Sequence, residues 1–136
     1  MNWLRILWVG LVVGVAFVLL DAVINANPIG AKSLAFYKPI ARGQFLMSLG
    51  IASDIFSGFV IVFFFALLYP ALPTSSGIVK GIIFGLMASF FRVFMNAVAS
   101  FAMFDMPAGA FFYTLVTGII EMSALGFIAG LLYKPK

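Results

Sequence analysis

The sequence predicts an all-α, polytopic membrane protein whose four transmembrane helices form two related hairpins in one bundle. Three observations carry this. Hydrophobic residues fill 65% of the 136 positions and charged residues only 9%, too few charges to cover a soluble domain of this size. Apolar runs of about twenty residues, the length that crosses a bilayer, occur four times. A spaced pattern also occurs twice, positions 10 and 81 being 71 residues apart: Gly10, Gly14, Asp21 and Asn25 in the first run, Gly81, Gly85, Arg92 and Asn96 in the third. Open sheet edges are excluded from lipid and the chain is too short for a closed barrel, so the runs are read as helices.

Span 1 is expected over residues 4–24. Asn25, Asn27, Pro28 and Gly30 end it, because proline and glycine do not continue a helix easily and asparagine bonds the freed backbone. Arg5 before an apolar run resembles the start of a signal peptide, but no small-x-small cleavage site follows and Asp21 lies at the run's end, so a retained span is expected. The first connection, residues 26–44, mixes Lys32, Lys38 and Arg42 with Leu34, Phe36, Tyr37 and Ile40. That mixture suits either a segment lying among lipid headgroups or an ordinary surface loop. Span 2, residues 45–69, stops at Pro70 and Pro73. Span 3 covers residues 78–101, and Asp105, Pro107 and Gly109 make the next turn. Span 4 covers residues 108–133. The whole chain is one membrane domain, residues 1–136, with hairpin repeat 1 over 1–72 and hairpin repeat 2 over 73–136.

Four spans place both termini on one side. That side carries Arg5, Lys80, Lys134 and Lys136 and the other Lys32, Lys38 and Arg42, so the positive-inside rule places the termini in the cytoplasm. Glycines four residues apart let helix backbones approach where lipid supplies no hydrophobic drive. Gly10, Gly14, Gly81, Gly85, Gly126 and Gly130 are therefore the expected packing positions, whether within the chain or between copies of it.

The chain has no cysteine and no histidine. That excludes thiolate and imidazole chemistry, disulfides and the commonest zinc and haem ligands. No cofactor, no metal and no catalytic residue set is expected, and the absence of a basic run argues against nucleic acid. Attention falls on four ionisable residues inside the spans: Asp21, Asp54, Arg92 and Glu121. Each costs about 2.5–3.5 kcal/mol at mid-span on insertion scales, so they are expected to form one buried charge cluster, supported by Asn25 and Asn96. Arg92 can satisfy one carboxylate bidentately. Asp21 is its expected partner because the repeat makes the two positions equivalent. A metal on the three carboxylates is disfavoured, since Arg92 would repel it. The plainer reading of the cluster is an ion-pair network that fixes helix register.

Two functional readings follow. The first is a non-enzymatic component acting by helix association, as accessory subunit of a larger membrane complex or as a homo-oligomer. Its partners would be the bilayer, other membrane subunits or itself. The alternative is a small transporter or channel that uses the carboxylate and arginine cluster for protons or a solute. An intramembrane enzyme or lipid binder is less favoured, since the seventeen phenylalanines and seven methionines are ordinary lipid-facing and core side chains.

The opening Asn2–Trp3–Leu4–Arg5–Ile6, the Gly10 and Gly14 spacing, Asp21, Asn25, and a last span with Glu121 before a Leu-Tyr ending resemble a group of small, uncharacterised bacterial four-span integral membrane proteins. The resemblance implies an inner-membrane, multi-pass location and carries no activity with it.

Overall fold

The computed structural model describes residues 1–135, and those residues form helices and connections without strands. Helix α1 runs Trp3–Ala26, and the short α2 runs Pro28–Ser33. A 3-10 turn covers Ala35–Ile40 before α3, Met47–Leu68. Helix α4, Gly77–Ser89, passes through a π-helical turn, Phe90–Phe94, into α5, Met95–Met103. Helix α6, Ala108–Leu132, ends the fold. Four stretches are long and apolar enough to cross a membrane: Trp3–Ala26, Met47–Ala71, Gly77–Met103 and Ala108–Leu132. They match the four sequence spans to within a few residues. The first connection is more ordered than a plain loop, with α2 packed against α1 and α6 and the 3-10 turn against α2.

Local chemistry sets the boundaries. The Asn2 side chain accepts from Arg5 N–H at 3.2 Å and starts α1. Asn27 closes α1 and opens α2: its amide donates to the Val23 and Ile24 carbonyls, both at 2.8 Å, and its oxygen accepts from Gly30 N–H at 2.9 Å. Pro28 follows as the first residue of α2, where a missing N–H costs nothing. Ser76 caps α4 through Val79 N–H.

Packing is pairwise. Helix α1 lies chiefly against α3, and α4 against α6, with α1 and α6 in the middle of the arrangement. Glycine permits the close approach in both pairs. A Cβ on Gly14 would sit 2.7 Å from the Ile55 Cα, and one on Gly10 would sit 3.0 Å from the Phe59 Cα. On the other pair, Gly81 abuts the Gly126 carbonyl and Gly85 the Met122 carbonyl. Gly130 meets the Gly77 carbonyl. All six glycines expected to pack are buried at these two contacts.

The central core joins the pairs. Val9, Val13, Phe17, Val62, Phe65, Leu125 and Ala129 are fully buried. Phe65 reaches Phe84, Tyr69 and Tyr133 with ring centroids 5.4–5.9 Å apart. This aromatic knot lies at the end that carries the termini, where Arg5 also donates to the Lys134 carbonyl at 3.4 Å. Lys80 is buried in the same end. Its ammonium donates to the Tyr69 carbonyl and stands 4.2 Å from the centre of the Tyr69 ring. Counted above as a surface cation, it is internal. At the opposite end α3 has no comparable packing against α5 among the described residues. The bundle is knotted at one end and parted at the other. Lys136 lies outside the described residues.

Candidate functional site

The parted end holds a cavity of about 360 Å³ between α1, α5 and α6. Tyr37 and Tyr113 line its outer part, the mouth, near the helix connections, and Arg92, Val93, Gly118 and Glu121 its deeper part. From Tyr113 to Glu121 along α6 is eight residues, about 12 Å of helix. Beneath Glu121 the fully buried Phe17, Leu125 and Val13 close the way. The cavity is therefore a vestibule in the half of the bundle away from the termini, plugged toward the terminal end.

Each polar wall residue is placed by its helix. Asp21 is one turn before the end of α1 and lies half-buried against the vestibule. Glu121 sits mid-way along α6 and is buried, with 6% of its surface exposed. Arg92 lies in the π turn, where Met95 N–H bonds back to the Phe90 carbonyl five residues earlier. This wider turn delays the residues beyond it relative to a regular α-helix. The eleven-residue spacing from Gly81 to Arg92 therefore does not reproduce the direction that the same spacing gives from Gly10 to Asp21.

This corrects the expected pairing. Arg92 is joined to Glu121, its Nη1 lying 3.9 Å from Oε2, and no ion pair joins it to Asp21 among the described residues. The pair is long. Charge-assisted N–H···O bonds are about 2.7–2.9 Å, so 3.9 Å is attraction without a hydrogen bond. The guanidinium lies instead over the Phe17 ring, 4.3 Å from its centre, and near the Met122 sulfur at 3.8 Å. The burial of the cluster is corrected too. Of the four charges only Glu121 is buried: the Arg92 side chain is 48% exposed, and Asp21 and Asp54 are half-buried. Asn25 and Asn96 are exposed to the vestibule and line it. Asp54 lies off the vestibule, in a groove of about 700 Å³ between α1 and α3 that Asp21 also lines. Asp21 is thus the wall between two openings. The four charges share one region and do not collapse into one contact.

Several donors on the vestibule wall are bonded back into the protein. The Thr117 hydroxyl donates to the Tyr113 carbonyl at 2.7 Å, the Tyr113 hydroxyl to the Ile24 carbonyl at 2.6 Å, and the Asn25 amide to the Asp21 carbonyl at 2.7 Å. The Ser100 hydroxyl donates to Asn96 Oδ1 at 3.4 Å. The Arg92 guanidinium and the Asn96 amide also line the space and bring N–H donors to it. Most telling is Glu121 Oε1, which is buried and has no hydrogen-bond partner. An unpaired buried carboxylate oxygen costs about 1–3 kcal/mol or more. Among the described residues no three carboxylates approach closely enough to hold a metal ion.

Several contributors were not singled out from sequence. Tyr113 and Asn27 bind each other at 2.9 Å and fasten α1 to α6 beside the mouth. Their signal was present, an asparagine in a helix break and a tyrosine one turn into a span, but it does not say that the two meet. Phe17 and Met122 beneath Arg92 had no sequence signal, being two apolar residues among many. Compared with protein families, curated proteins and solved structures, the chain finds no match.

Proposed function

We propose that this is a multi-pass integral membrane protein of two related hairpins, and that it handles a small solute at the vestibule between α1, α5 and α6, as a one-side-open state of a small transporter. The bacterial inner membrane is the location that the sequence resemblance implies. Membrane insertion is supported by the outward faces, where Leu4, Leu19, Val23, Phe56, Phe91, Phe112 and Ile120 are all more than half exposed and would be covered by acyl chains.

Duplication is supported by matched contacts. A Cβ on Gly58 would meet the Gly10 carbonyl and the Gly14 N and Cα; a Cβ on Gly126 would meet the Gly81 carbonyl and the Gly85 N and Cα. The second helix of each pair docks one glycine between two glycines of the first, on the same atoms. Both units would then have one membrane orientation, related by an axis along the membrane normal.

The single observation that carries solute handling is Glu121. It is a buried carboxylate with a free oxygen, lining a polar space in the half of the bundle away from the termini. A purely architectural acid would have its second oxygen bonded. Ionisable groups that face a cavity inside spans mark solute or proton paths. Purified protein in proteoliposomes should carry proton-coupled or solute flux that Glu121→Gln abolishes while the variant still elutes as the wild type does. Equal flux in both proteins would sink the proposal.

The association reading retains one observation in its favour: α3 and α5 leave their facing sides uncovered at the parted end. The glycine faces that first suggested it are occupied within the chain. Native mass spectrometry from gently solubilised membranes tests it, since an accessory subunit should emerge with larger proteins in fixed ratio.

A further inference from the structure

We propose that the occupant of the vestibule is a small organic cation rich in N–H donors, a primary ammonium or guanidinium compound, which anchors on Glu121 and displaces Arg92 from it. The proposal rests on the solute-handling reading of the same cavity and names the class of solute.

Four observations converge. The first is charge. Asp21 and Glu121 line the vestibule against the one guanidinium of Arg92, with Asp54 in the adjoining groove, so carboxylates outnumber the cation. An anion would enter against the two carboxylates of the vestibule; a cation enters with them. The second is hydrogen bonding. The Thr117, Tyr113 and Ser100 hydroxyls spend their donors within the protein, so on the wall beside Glu121 their oxygens are left to accept from an incoming N–H. The third is the free Glu121 Oε1, buried and lining the space. The fourth concerns Arg92, whose 3.9 Å separation from Glu121, half-exposed side chain and seat on Phe17 describe a cation held nearby without being bonded. It is a tethered competitor that an incoming donor can replace, leaving the guanidinium free to turn toward Asp21 or Asp54.

An inorganic ion fits less well. The carboxylates lie too far apart to surround one, whereas an organic cation spreads its donors over several acceptors. The volume of about 360 Å³ is at the small end of ligand sites.

The test is calorimetric titration of the full-length protein in detergent with methylammonium and guanidinium, and with tetramethylammonium and acetate for comparison. Methylammonium or guanidinium should bind saturably at one site per chain. Tetramethylammonium, which has the charge but no N–H, should bind at least tenfold more weakly, and acetate should give no saturable heat. Glu121→Gln should weaken cation binding at least tenfold and Thr117→Val or Asp54→Asn a few-fold. Arg92→Gln should tighten it several-fold by removing the competitor. If Glu121→Gln does not fold, the Thr117, Asp54 and Arg92 variants still decide the matter through the opposite signs of their effects. Acetate binding that Arg92→Gln abolishes would overturn the proposal in favour of an anion site. So would cation heats unchanged across all the variants, which would mean adsorption to the micelle. Flux of another solute without cation binding would overturn this proposal and spare the transport reading. Cation binding without any flux would do the reverse.

Discussion

Glu121 and Lys80 are both buried ionisable residues, yet their surroundings treat them in opposite ways. Lys80 is committed: its ammonium bonds the Tyr69 carbonyl just past α3, and the Tyr69 ring covers it. Lys80→Met would keep the aliphatic stem and strip that carbonyl of its donor. The expected loss is about 1–3 kcal/mol, measured by thermal unfolding in detergent, and an unchanged melting temperature would show the bond to be idle. Glu121 is uncommitted at Oε1, which is why it is the proposed site and Lys80 is not. A similar commitment ties Asn27 to Tyr113. Tyr113→Phe removes a donor to the Ile24 carbonyl and an acceptor for the Asn27 amide, so about 1–2 kcal/mol should be lost. Asn27→Ala should cost about the same, and the double variant less than the sum by about 0.5 kcal/mol or more, since contacting residues are not additive. Strict additivity would show the two to act separately. At this scale the sequence was least legible. That charges gather in one region follows from the cost of placing each in lipid. Which two touch depends on helix rotation, and the π turn at Phe90–Phe94, which leaves no clear mark in composition, moved Arg92 from Asp21 to Glu121.

Elements were far more legible, because span length and helix breakers act locally. All four spans emerged within a few residues of their sequence limits, and the six packing glycines lie at helix contacts. Gly58 was missed as a packing position, being a lone glycine whose partners sit on another helix. Asp54 and Glu121 are not at equivalent positions once the glycines are aligned. Asp54 stands four residues before Gly58 and Glu121 five before Gly126, and one residue is about 100° of helix rotation. That difference sends Asp54 to the α1–α3 groove and Glu121 to the vestibule. The glycine contacts carry a graded expectation. A side chain at Gly58, Gly81 or Gly126 would press on the backbone of the facing helix, which cannot turn aside as a side chain can. Valine at any of the three should cost about 1–3 kcal/mol or more. Gly118 faces only the Val93 side chain, and alanine there should be milder. Gly109 has nothing within 4 Å, and Gly109→Ala should be neutral. Thermal stability in detergent across the five variants checks the order. A destabilising Gly109→Ala, or a tolerated Gly81→Val, would contradict the docking described here.

For the whole molecule the decisive property is asymmetry between the two ends. At the terminal end Phe65, Phe84, Tyr69 and Tyr133 interlock. At the other end the helices part around polar walls. The proposed transport state would admit small molecules from one face only, and because the sequence contains no cysteine, each introduced thiol reports alone. Thr117→Cys and Ser100→Cys line the vestibule; Val13→Cys and Ala129→Cys lie in the plug, fully buried. In oriented membrane vesicles a small, charged, impermeant thiol reagent should modify the first two from the face opposite the termini and from that face alone. The latter two should resist it from both. Methylammonium should slow the reaction at Thr117→Cys, beside Glu121, more than at Ser100→Cys nearer the mouth. Modification of Val13→Cys from the terminal face would mean that the plug opens to that side, as alternating access demands of a second conformation. If Thr117→Cys reacts only from the terminal face, the vestibule opens the wrong way, and the transport reading falls with the geometry that supports it.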